Sequence, residues 1–230
     1  MKFGIICAGD IEFAPFIPMF KDCIVVEKAM LNFYCGKIEG KNVIALYSGS
    51  GKVNSAIASQ LLIDIFSCNC IINSGTAGAM RDDLEIFDTV ISNETAYHDV
   101  SDDVMNDFHP WLKSVYFKAD EKLLSAAQKV VVKKNCDRKI VFGRMVTGEQ
   151  FITDENSDKI NNVYSPFTVD METAAIAHVC YVNQTPFISV RTITDTPKQR
   201  GLSEVEKNCK MASQLSAEFV RELLMELNKG

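Results

Sequence analysis

Hydrophobic positions in this chain gather into short unbroken runs that alternate with longer stretches of helical spacing. The runs at residues 3–7, 42–47, 70–73, 89–92, 140–146, 168–171 and 187–193 are rich in β-branched side chains. Continuous apolar runs of this length are expected of strands buried on both faces. Between them, spacing and end signals predict helices over 52–66, 119–134, 155–162, 172–182 and 203–228. The last carries Leu215, Phe219, Leu223 and Leu227 on one side, an amphipathic stripe. Strand and helix in alternation predict a three-layer α/β/α domain around a central mixed sheet. Pro15 and Pro18 interrupt the segment after the first strand, so a helix there should start late or be kinked. The chain shows no repeat, low-complexity tract or linker, which points to one domain over 1–230.

Composition narrows the function classes. The 230 residues are 47% hydrophobic and 23% charged, the balance of an ordinary globular protein with ample material for a core. A net charge of −6 with no basic block longer than a pair argues against a nucleic-acid partner. No apolar run approaches the roughly 18 residues that span a bilayer. The N-terminus turns acidic at Asp10 and Glu12 where a signal peptide would stay apolar, so no membrane partner and a cytoplasmic location are expected. The eight cysteines, at 7, 23, 35, 68, 70, 136, 180 and 209, lack the CxxC spacing of a zinc or redox site. Most sit in apolar stretches, where Cys behaves as a small hydrophobe. With three scattered histidines besides, no metal is expected.

Candidate chemistry gathers at predicted strand ends. In Val169-Asp170-Met171-Glu172-Thr173-Ala174-Ala175 a strand runs into a small-residue helix with a carboxylate at the junction. The strand over 187–193 ends likewise at Thr194-Asp195, and Glu12 follows the first strand. Ligands of open α/β sheets bind at the carboxyl ends of strands. Carboxylates there suit acid/base work or the binding of sugar hydroxyls. Two glycine-rich stretches, 48–52 and 73–78, follow strands without the spacing of a Walker or dinucleotide loop. Taken singly, they read as tight turns needing positive φ. By the same measure Glu12 reads as a helix-dipole partner, Asp195 as a cap, Phe151 as core and Arg191 as the neutraliser of a buried acid.

Jointly these pieces resemble the methylthioadenosine/S-adenosylhomocysteine nucleosidases of the nucleoside phosphorylase superfamily. The matching residues are Gly4-Ile5-Ile6 with Glu12, Ser48-Gly49-x-Gly51-Lys52-Val53, and Ile72-Asn73-x-Gly75-x-Ala77-Gly78. They continue with Tyr97-His98-Asp99, Phe117-Lys118-Ala119-Asp120, Gly148-x-x-Phe151-Ile152, Met171-Glu172-x-x-Ala175-Ile176-Ala177-His178-Val179-Cys180 and Arg191-x-Ile193-x-Asp195. All occur in family order over residues 4–195.

The resemblance implies cofactor-free hydrolysis of the bond between adenine and ribose in adenine nucleosides. Adenine leaves readily only when protonated, and Asp195 matches the general acid at N7. Such an acid works near neutrality only if its pKa is raised, which desolvation achieves. The sugar becomes cation-like as the bond lengthens. Glu12 matches the base that holds and deprotonates the attacking water, and Glu172 the acceptor for ribose hydroxyls. Phe151 would stack on adenine, the backbone of Ile152 would read its edge, and Met171 would pack under the ribose. Thr76, Ala77, Gly78 and Arg191 complete the implied substrate site, with Thr76 and Arg191 near the water and Glu172.

The pocket for the 5′ group departs from the family pattern. Gly9 stands where many members have Met, and Ser50 where they have an aliphatic residue. The segment 201–205 lacks their Phe. Less apolar contact for a methylthio group is expected, at roughly 0.8 kcal/mol per buried CH₂. The stretch 104–112 holds the chain's only Trp outside any predicted element. The resemblance implies a homodimer in which Met105, Phe108 and Pro110 close the partner's 5′ pocket. The alternative within enzymes is a purine nucleoside phosphorylase. Against it, residues 8–12 offer two acids and no Arg for phosphate. A purine-nucleoside-binding protein without turnover is the alternative of another class.

Overall fold

The computed structural model describes residues 1–109, 111–134, 138–152 and 154–227. Each predicted strand and helix is present, with ends moved by a few residues. Strand β1 (Lys2–Cys7) leads into helix α1 (Asp10–Phe13) and a 3₁₀ segment, Ala14–Met19. Strands β2 (Lys21–Lys28), β3 (Leu31–Ile38) and β4 (Lys41–Tyr47) follow, then α2 (Lys52–Asp64), β5 (Cys70–Ala79) and β6 (Thr89–Tyr97). Helix α3 (Asp102–Asp107), β7 (Phe117–Lys118), α4 (Glu121–Lys133), β8 (Ile140–Thr147) and α5 (Asp154–Tyr164) come next. The chain closes with β9 (Thr168–Asp170), α6 (Thr173–Val182), β10 (Phe187–Asp195) and α7 (Leu202–Glu226).

The sheet is mixed, as expected, and part of it closes on itself. β5 runs parallel to β10, β10 antiparallel to β6, β6 parallel to β8, β8 parallel to β9, and β9 antiparallel to β5. That circuit is a five-stranded barrel. From β5 the sheet extends through β1 and β4 to the antiparallel β3 and β2. One edge of β5 is shared by two strands. β1 pairs with it up to Ile6↔Asn73, and β9 comes from the opposite direction down to Gly78↔Val169. The carboxyl ends of β1 and β9 therefore face each other across residues 74–77.

Two apolar clusters flank the sheet. Helix α7 contributes Phe219, Val220, Leu223 and Leu224 to one of them, each fully buried. Burial of such a side chain contributes on the order of 2 kcal/mol. Leu215 and Leu227 only border this face, whose middle is formed by the smaller Ala212, Ser216 and Ala217.

Several expectations are corrected. The β2–β3 hairpin is not among the predicted elements, although Cys23-Ile24-Val25-Val26 is a short apolar run within β2. Every residue of β2 is exposed, so it shows no buried face, and its turn puts Ala29 and Met30 at positive φ. Hairpins are recognised by Asn-Gly or Asp-Gly at those positions. The helix after β1 starts early, at Asp10, so the late start is corrected; it gives way at Ala14 to a 3₁₀ segment that holds Pro15, in its first turn where the missing N–H is tolerated, and Pro18. Residues 73–78 are not a turn but the continuation of β5, paired with β10 as far as Gly78. Segment 104–112 is helical in its first part, through α3. Cys136 and Pro110 lie outside the described residues.

Candidate active site

The gap between β1 and β9 opens into a cavity of about 320 Å³. Glu12, Ser50, Thr76, Ala77, Gly78, Phe151, Ile152, Met171, Glu172, Arg191 and Asp195 all line it. Gly9 does not, and a Cβ built there would meet nothing within 4 Å. Lining residues without a sequence-based role include Asp170, Gln150, Arg200, Leu202 and Val205. Leu202 and Val205 bring apolar side chains to the lining. Spacing pointed to Glu172 and passed over Asp170, although that acid stands only two residues earlier.

Glu12 reaches the gap because only Ala8 and Gly9 separate β1 from α1. Its Oε2 accepts from the amides of Ala8 (2.8 Å) and Gly9 (3.3 Å), and its Oε1 from the Thr76 amide (2.7 Å) and hydroxyl (2.9 Å). A Cβ at residue 75 would lie 2.6 Å from Glu12 Oε1, so the carboxylate occupies space that only glycine leaves. Gly75 and Gly78 thus serve close approach within a strand. Positive φ belongs to the other stretch, at Gly49 (+82°) and Gly51 (+99°).

Glu172 sits at the start of α6. Its Oε1 accepts from the Gly51 amide at 2.9 Å, and its Oε2 from Arg191 Nη2 at 3.1 Å. Arg191 is buried, with Nη1 donating to the Thr76 carbonyl (2.9 Å) and lying 3.9 Å from Glu12. One guanidinium thus serves three acids: Glu12, Glu172 and Asp170. Burial works against its charge, yet the three carboxylates hold its pKa above the ordinary value. Glu172 is pushed up to about 7, chiefly by burial; Arg191 opposes the shift, and Asp170 and Glu12 add to it.

Asp195 ends β10, beside Gly78 of β5. Burial raises its pKa, against the opposing hydrogen bond from Thr194 Oγ1 (3.1 Å) and the charge of Arg200. A proton is therefore retained more readily than by a carboxyl in water. Phe151 is 43% exposed at the cavity rim, not core, leaving its ring open to a planar ligand.

The residues expected to face a partner divide. Met105 is buried within its own chain (6% exposed), in the cluster with Ile6 and Leu112, and has little surface left for another subunit. Phe108 and Trp111 are 75% and 58% exposed. Trp111 adjoins α6, where Tyr181 Oη donates to its carbonyl.

Comparison with known proteins identifies relatives of the whole chain. The profile of the Phosphorylase superfamily matches residues 2–225. The 5′-methylthioadenosine/S-adenosylhomocysteine nucleosidase of Oceanobacillus iheyensis is 32% identical, over 99% of this chain and 100% of the relative. That of Shewanella pealeana is 35% identical over the same shares. The crystal structure of the Colwellia psychrerythraea nucleosidase in complex with adenine superposes with a TM-score of 0.90 at 31% identity, covering 99% and 96% of the two chains. Futalosine hydrolase of Helicobacter pylori superposes with a TM-score of 0.88 at 25% identity, covering 98% of each. Similarity over the full length, in sequence and in fold, leads to one conclusion: this chain belongs to the methylthioadenosine/S-adenosylhomocysteine nucleosidase family within the phosphorylase superfamily.

Proposed function

We propose that this enzyme hydrolyses the N-glycosidic bond of 5′-methylthioadenosine, S-adenosylhomocysteine and 5′-deoxyadenosine, releasing adenine and the 5-substituted ribose. The placing of two carboxyl groups in one cavity carries the reading. Glu12 abuts residue 75 of β5 and Asp195 abuts residue 78, and both line the cavity. Two carboxyl groups so placed let one protonate a leaving group while the other activates water on the opposite face of the sugar. Asp195 protonates adenine N7. Glu12 orients the water and takes its proton. Glu172 accepts hydrogen bonds from the ribose hydroxyls, Phe151 stacks on the base and Met171 packs beneath the sugar.

Water is favoured over phosphate by the state of the amides around the gap. Those of Ala8, Gly9 and Thr76 donate to Glu12, and that of Gly51 to Glu172. The first amides of α6 are taken by Asp170 and Thr147. Helix starts of this kind bind anions only when their amides are free. The enzyme works as a homodimer in this reading, with Phe108 of one subunit near the 5′ pocket of the other. Exposed Val53, Ile57, Tyr181 and Val182 on α2 and α6 support it.

Adenine release from methylthioadenosine, followed with and without phosphate, tests the proposal. Equal rates and free methylthioribose are expected. Release that requires phosphate would make the enzyme a phosphorylase, and binding without release over hours would make it a non-catalytic binder. Futalosine belongs among the substrates tried, because a futalosine hydrolase shares the fold.

A further inference from the structure

Asp170 lies behind the reacting groups and is almost completely buried. Its Oδ1 is heavily used. It accepts from Thr147 Oγ1 (2.8 Å), from the Glu172 amide (2.9 Å) and from the Thr173 amide (2.8 Å). Those two amides open α6, so Oδ1, with Thr147 Oγ1 on the Ala174 amide, ties down the helix start that carries Glu172. Its Oδ2 accepts no hydrogen bond among the described residues. The cation it faces is Arg191, whose Nε is 3.8 Å away and donates to Thr173 Oγ1 instead (3.2 Å).

A helix cap alone does not require this side chain. Ser, Thr and Asn cap as well as Asp does, through one oxygen. A second buried carboxylate oxygen left without a donor is unfavourable. What Asp uniquely adds here is negative charge beside a buried guanidinium that also serves Glu172 and Glu12.

We infer that Asp170 is a positioning residue for the reaction: its charge holds Arg191 in place between Glu12 and Glu172, and its capping oxygen sets where Glu172 begins. The groups that face Glu172 are Arg191 from β10, Glu12 from α1, the Gly51 amide from the start of α2 and Asp170 itself. Asp170 and Glu12 both favour the proton on Glu172, and Arg191 opposes it. Removing the charge of Asp170 therefore moves the titration of Glu172 to lower pH. The inference rests on the nucleosidase reading for its kinetic consequence only.

D170N isolates the charge, since Asn keeps the shape and the capping oxygen. Profiles of kcat/KM against pH for adenine release report the free enzyme's groups. The expected result is a kcat/KM about ten- to a hundredfold lower at the optimum, with the acid limb displaced to lower pH. An acid limb in its wild-type place would overturn the inference, whether or not the rate falls, because a cap that only supports the fold does not move it. Should D170N fail to fold, D170E keeps the charge and displaces the cap. It is expected to lose activity while keeping the acid limb, and a shifted limb would count against the proposal. If the wild-type enzyme releases no adenine, the nucleosidase reading fails by itself. Asp170 is then tested by unfolding as a function of pH, with E172Q as control. The fall in stability attributable to Glu172 should span a narrower pH range in D170N, and an unchanged range would overturn the inference.

Discussion

At the scale of single residues, two carboxyl groups are shifted upward by burial, with different consequences. Asp195 keeps a proton more readily than a carboxyl in water, so Asp195→Asn should remove the acid while leaving shape and fold intact. Loss of a general acid lowers turnover by about 10²–10⁴. The purified variant should therefore hydrolyse methylthioadenosine at that reduced rate with an unchanged circular dichroism spectrum; near wild-type turnover would reassign Asp195. For Glu172 the consequence is a stability that depends on pH. Its ordinary pKa of 4.5 is raised to about 7 in the folded chain. Between these values the folded state holds a proton that the unfolded state has released, so this contribution is complete below about pH 4.5 and lost as pH rises through about 7. The slope is at most about 1.4 kcal/mol per pH unit. Urea unfolding of wild type and E172Q across that range should show the decline in the first and a flatter profile in the second.

At the scale of elements, β5 organises the site. Its lower half is an ordinary buried strand and its upper half is built of small residues, because Glu12 and Asp195 press against it. A methyl group at residue 75 would intrude on a carboxylate fixed by four hydrogen bonds. Gly75→Ala is therefore expected to displace Glu12 and lower kcat by at least tenfold, for a misplacement of about 1 Å can reduce rates a hundredfold. The pairing of β5 with β10 is retained, so the thermal midpoint should move by only a few degrees. A variant with full activity would show that Glu12 need not occupy this place. The turn at 48–52 contributes differently: Gly51, at φ +99°, turns its amide toward Glu172.

At the scale of the whole molecule, substrate choice depends on what surrounds the 5′ group. In the proposed reaction Ser50 supplies little apolar contact, Gly9 stands off the cavity, and Leu202 and Val205 supply aliphatic side chains to the lining. Discrimination among methylthioadenosine, S-adenosylhomocysteine and 5′-deoxyadenosine should be weaker than in relatives with Met and an aliphatic residue there. One methylene-sized contact changes specificity by about 10- to 200-fold. The kcat/KM values for the three substrates should accordingly lie within tens-fold of one another. A preference of a hundredfold or more for methylthioadenosine would show that a second subunit, through Phe108 and Trp111, refills the space.

The sequence by itself determined the buried strands, the main helices and the carboxylates at strand ends, because continuous apolar runs and helical periodicity are local properties. Ordered motifs added the family, since Glu12, Glu172, Arg191 and Asp195 stand in characteristic surroundings. Tertiary structure alone decided the rest. The β2–β3 hairpin turns through Ala29 and Met30, so its turn residues do not announce it, and its short apolar run Cys23-Ile24-Val25-Val26 is exposed rather than buried. Glycines in 73–78 read as a turn because the carboxylates that require them come from residues 12 and 195. Met105 looks like its neighbour Phe108, yet one side chain is buried in its own chain and the other is exposed, a difference set by the rotation of α3. Asp170 shows the same limit most clearly. Its partners are Thr147, Thr173 and Arg191, from three separate elements, and only folding gives a buried charge its neighbours.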